Sequence, residues 1–124
     1  MATVTTIEDG PRNLVLHVTG GGVESSASIV DVSALTPSCT SVSLCRVVYN
    51  IKSDQHMQLL CDATADTVLL DLYGGSGVEM CFDPDIPNVG GAGATGDILL
   101  DGGTASTSYS IYLEFRKNNV TMPR

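Results

Sequence analysis

Asp83-Pro84-Asp85, with Glu79 four residues before it, is the densest set of hard oxygen donors in the chain and could in principle hold calcium. The evenly spaced ligands of a dedicated calcium loop are missing, so the segment reads as a solvated acidic loop. His17 and His56 have no His or Cys at i+2 or i+4, and no two of Cys39, Cys45, Cys61 and Cys81 stand two or four apart. A local zinc clamp is therefore ruled out by spacing. Gly91-Ala-Gly93-Ala-Thr-Gly96 has the letters of a dinucleotide fingerprint, but that chemistry needs a helix after the loop, and here a strand follows. Ser76 has Gly74 before it but Val78 after it, which fails the nucleophile-elbow pattern. Asp62 and Asp66 flank a turn, where Asp serves as a local hydrogen-bond acceptor. No catalytic residue, metal-ligand set or cofactor is assigned.

The elements that would position these residues are strands. Tyr109-Ser-Ile-Tyr-Leu-Glu-Phe-Arg116 alternates with period two, which puts Tyr109, Ile111, Leu113 and Phe115 on one face and Ser110, Tyr112, Glu114 and Arg116 on the other. The same rhythm predicts strands over 3–7, 13–19, 28–32, 40–52, 56–61, 68–72, 78–82 and 97–101. Within 40–52, Cys45, Val47, Tyr49 and Ile51 share one face; within 78–82, Val78, Met80 and Phe82 point inward. Residues 97–101 and 108–116 flank Gly102-Gly103 and suggest a closing hairpin. Breaks fall at Glu8–Asn13, at Gly20-Gly-Gly22, around Pro37, at Ser53-Asp54 and at Gly74-Gly-Ser-Gly77. Asp83 to Gly96 is the longest loop and a place for contacts. The one stretch with helical potential, Val32 to Leu35, is too short to nucleate alone.

At 124 residues the chain is one domain, spanning 1–124, with a short N-terminal strand or arm and a polar C-terminal tail over 118–124. The fold class is all-β: a single β-sandwich of jelly-roll kind, with about eight or nine short antiparallel strands. A charged fraction of 16% is low for a free monomer, which suggests that part of the surface is covered in use. Six Lys and Arg against fourteen Asp and Glu give a formal charge of -8, which repels phosphate backbones and anionic membranes. Neither a long apolar run nor a signal-peptide pattern is present, so no nucleic-acid or membrane partner is expected, and the thiols are expected to be free in a reducing cytoplasm. The glycosylation letters at Asn119-Val-Thr121 then lack their compartment.

Three stretches stand in order along the chain: Asp9-Gly-Pro-Arg-Asn13; the strand from Val42 to Lys52 with Leu59-Leu-Cys-Asp-Ala63 behind it; and Thr95-Gly-Asp-Ile-Leu-Leu100 leading to Tyr109–Lys117. Together they resemble a family of small β-sandwich virion structural proteins of tailed bacteriophages, over nearly the whole chain. The chain departs from the pattern at Cys61, where a Trp would precede Asp62, and in continuing past Lys117 to Arg124.

The resemblance implies a non-enzymatic virion protein, and most simply a capsid decoration or cement protein. Such a protein binds the outside of the shell of major capsid protein in many copies, is assembled in the host cytoplasm, and associates with itself, with a trimer on a threefold position the simplest closed form. A tail, neck or tail-tip component is the alternative, and a metal-dependent enzyme around Asp83, Asp85 and a distant His ranks last. The expected contact residues are Asp9, Pro11, Arg12 and Asn13 in the first turn, Asp83, Asp85, Ile86 and Asn88 in the long loop, and Val120 and Met122 in the tail. Tyr112 joins them as an outward anchor, since Tyr brings apolar area at small rotamer cost.

Overall fold

A computed structural model describes residues 2–104 and 107–120 of the chain. They form one antiparallel sheet of seven strands: β1 (Thr3–Asp9), β2 (Asn13–Gly21), β3 (Glu24–Val30), β4 (Ser41–Cys61), β5 (Thr67–Ile86), β6 (Ile98–Gly102) and β7 (Ser108–Asn118). The all-β class read from periodicity is the observed one. A 3-10 turn at Val32–Ala34, capped by Asp31 on Ser33 N, occupies the stretch with helical potential. Among the described residues no helix is long and apolar enough to cross a membrane.

The strand order is β1-β2-β7-β4-β6-β3, with β5 also against β4. Each half of β4 serves a different set of neighbours. Residues 41–51 lie between β7 and the second half of β5, whereas residues 57–61 lie between β6 and the first half of β5. The sheet therefore curls at the middle of β4 and β5, and residues from both halves meet in one core.

Ser53-Asp54 and the Gly74–Gly77 run, which look like breaks in the sequence, are the corner of this continuous hairpin. That is why fewer strands are present than the sequence suggests: 40–52 joins 56–61 in β4, and 68–72 joins 78–82 in β5. Gly74 is required there, because a Cβ on it would sit 2.2 Å from the Lys52 carbonyl oxygen. The register slips between Ile51 and His56 where β4 turns.

The core is built from alternate residues, as period two demands. Leu14, Leu16 and Val18 from β2, and Tyr109, Ile111, Leu113 and Phe115 from β7, are all buried. In β4 the alternation changes phase. Leu44 pairs with Phe115 but Arg46 pairs with Glu114, so Cys45 is an extra, bulged residue. Leu44 rather than Cys45 shares the buried face with Val47, Tyr49 and Ile51, which corrects the face read from the sequence. Val78, Met80 and Phe82 are partly buried against the core.

Two further expectations need correction. β6 and β7 do not pair with each other: β6 lies between β3 and β4, and β7 between β2 and β4. Alternation identifies a strand but not its partner, and the corner in β4 separates these two. The loop expected over 83–96 is also shorter, because β5 continues through Asp83-Pro84-Asp85 to Ile86. Pro84 is tolerated because, among the described residues, β5 pairs with β4 alone, and 82–85 fall in the register slip between Cys81 and Ile86, where no ladder is broken.

Candidate interaction surface

The end of β7 is fixed by a buried cation. The Lys117 side chain is 0% exposed, and its Nζ donates to the Asp9 carboxylate and, at 2.8 Å, to the Pro37 carbonyl oxygen. Asp9 also accepts the Thr36 backbone N–H at 2.9 Å, and the Lys117 N–H donates to the Arg12 carbonyl at 2.7 Å. Three segments distant in sequence are thereby held at one point: the β1–β2 turn, the Pro37 loop and the end of β7. A lysine buried in this way is tolerable only because its charge and donors are met. The alternation of β7 does carry Lys117 to the inward face, so its burial follows the same rule as that of Phe115.

This clamp supports a concavity of about 380 Å³ lined by Pro11, Arg12, Arg116, Lys117, Asn119 and Val120. Three of the chain's six basic residues are among them. Arg116 pairs with Asp85 at 3.3 Å and is itself 63% exposed, while Arg12 is exposed. Burial and the nearby Asp85 carboxylate push the Cys45 thiol up to about 11, so it stays protonated near neutral pH. All four cysteines are free.

The residues expected to make contacts divide between this end and other places. Pro11, Arg12 and Asn13 are exposed in the turn, while the Asp9 carboxylate is engaged inside the chain. Asp83 is exposed; Asp85 faces Arg116; Ile86 and Val120 pack against the core. Asn88 lies apart, accepting from Gly90 N at 2.9 Å, and its buried Nδ2 has no partner. Met122 falls outside the described residues. Tyr112 lies on the outer face of the sheet, away from the concavity, with the Arg46 guanidinium 5.8 Å from its ring centre. Arg116 and Asn119 are contact candidates that sequence reasoning passed over. The signal for Arg116 was its place beside Lys117 near the end of an acidic chain; Asn119 carried none.

Two polar clusters sit on the outer faces. Arg46 donates to Glu79 at 2.6 and 2.8 Å and to Glu114 at 2.8 Å, tying β5, β4 and β7 across the sheet. His56 contacts the Asp71 carboxylate at 2.9 Å and stacks on Tyr73, with ring centres 4.4 Å apart. Hydrogen bonds from Gln58 and His56 hold the Asp71 carboxyl below its ordinary value. Among the described residues no group of three or more His, Cys, Asp or Glu side chains is placed to hold a metal ion.

No protein-family model matches the chain, and no curated protein does. Among solved structures, the coat protein dimer of Tobacco streak virus matches over 88% of this chain and 90% of its own, with 13% identity and a TM-score of 0.32. The likeness is too loose to carry an argument about function.

Proposed function

We propose that this chain is a structural protein of a phage virion, and specifically a capsid decoration or cement protein. It binds the outer surface of the major capsid protein shell in many copies, as a homo-oligomer that a threefold position would make a trimer. The observation that supports this most is the clamped end. On a chain of net charge -8, Arg12, Arg116 and Lys117 line one concavity, and Lys117 locks its walls from behind. A surface fixed before binding loses little entropy when it docks, and its exposed Arg12 suits a carboxylate on the partner. Weak single contacts repeated over a shell then sum by avidity.

The test is binding of the purified chain to undecorated shells. Arg12→Glu, which changes an exposed residue, is expected to weaken binding by about tenfold or more. Failure of the unaltered chain to bind shells, or unchanged binding by Arg12→Glu, would contradict the reading.

A further inference from the structure

Among the described residues β1 pairs only with β2, so its other side is an open edge. The strand is unusual in a second respect: Thr3 to Glu8 are all exposed, and none of them belongs to the core. Val4 is 37% exposed and Ile7 57%. Ordering a strand costs on the order of 1–2 kcal/mol per residue in backbone entropy, and the hydrogen bonds to β2 offset this with little apolar burial.

The other edges are blunted. The β5 edge carries Glu79, Asp83, Pro84 and Asp85, and its register slips repeatedly against β4. The β3 edge is irregular, with register shifts after Glu24 and Ser28 and a positive φ of 51° at Ser26. Thr3–Thr6, in contrast, runs in unbroken register, and from Thr3 to Ile7 the strand has no charge and no proline. Charges, prolines and bulges are the devices that keep edges from pairing, and over this stretch the only one is the bulge at Ile7.

We propose that the open edge of β1 pairs antiparallel with the same edge of a second copy of this chain, about a twofold axis at Thr5. An antiparallel pair related by a twofold axis sets one residue opposite its own copy, and Thr5 is the midpoint of the uncharged run Thr3–Ile7. That register places Val4 opposite Thr6 and sets Glu8 against the uncharged Ala2. A parallel pair would instead bring the two Glu8 carboxylates together, so the charge pattern selects the antiparallel form. β-branched Thr, Val and Ile are the residue types that such a ladder favours. Two curled sheets would become continuous, and the exposed faces of Val4 and Ile7 would gain cover from the partner copy. This contact needs no shell and differs from any threefold one.

The experiment is sedimentation of the full chain over a concentration series, with Thr5→Lys, Thr5→Glu and their equimolar mixture in parallel. Thr5 is exposed, so both variants are expected to fold, which circular dichroism checks. The unaltered chain should double its mass as concentration rises, each variant should associate about tenfold or more weakly, and the mixture should recover the heavier species because Lys faces Glu. No association of the unaltered chain up to about 1 mM, undiminished association of Thr5→Lys, or no recovery in the mixture would each overturn the proposal.

Discussion

The two ends of β7 are built on opposite principles. Where β7 begins, at Ser108, it borders the corner at which β4 and β5 bend, lined by Asn50–Ser53, Gly75 and Ser76. Close backbone approach rules there: Gly74 fits because it lacks a side chain, and a neutral hydrogen bond from the Gly77 N–H to Asn50 Oδ1, at 2.6 Å, holds the bend. Where β7 ends, at Lys117, chemistry rules. A buried ammonium reaches a carboxylate and a carbonyl and fixes a turn whose tip is left exposed. The corner closes the fold, and the clamp presents a surface.

Altering the two ends should therefore give different phenotypes. The largest effect is expected at the corner: Gly74→Val forces a side chain into the Lys52 carbonyl and should cost more than about 4 kcal/mol, seen as loss of a cooperative thermal transition. Lys117→Met at the clamp leaves Asp9 without its cation and should cost about 3–5 kcal/mol in denaturant melts. It should also loosen shell binding, because the turn carrying Arg12 loses its anchor. Leu113→Ala, between the ends, removes a fully buried side chain and should cost about 2–5 kcal/mol without changing shell binding at temperatures where the chain is folded.

Smaller effects concern titration. The Tyr109 hydroxyl donates to Glu24 at 2.8 Å, and burial, with that acid beside it, raises its pKa well above the ordinary tyrosine value. The unfolded chain gives up this proton first. The contribution of this tyrosine to stability is thus whole below about pH 10 and is lost as the pH climbs through the native value, which melts at rising pH would show. The smallest expected effect is one of rate. Exposed Cys81 should react with a thiol reagent at pH 8 well before Cys45, whose thiol lies up at about 11, and before buried Cys39 and Cys61.

How far the sequence could be read follows from the range of each interaction. The alternation of β7 was plain because both of its neighbours and one solvent-free face enforce it along its length. Ser53-Asp54 and Gly74–Gly77 carry the local signs of a turn, and nothing nearby says that two strands run on through them. The phase change at Cys45 was hidden because Leu44 and Cys45 are both apolar and adjacent, so either suits the core. The clamp was beyond reach for another reason: Lys117 and Asp9 stand 108 residues apart, and only the register of β1, β2 and β7 brings them together. The exposed turn between β1 and β2 was legible by its Gly and Pro. The wall it shares with Arg116 and Asn119 was not.

The most direct test of the structural role is the copy number and position of this chain in purified particles, by quantitative mass spectrometry followed by particle imaging. A number commensurate with the subunits of the shell, with density on its outer surface, is the expected result. A few copies at one vertex would move the chain to the neck or tail, and absence from the particles would contradict a structural role altogether.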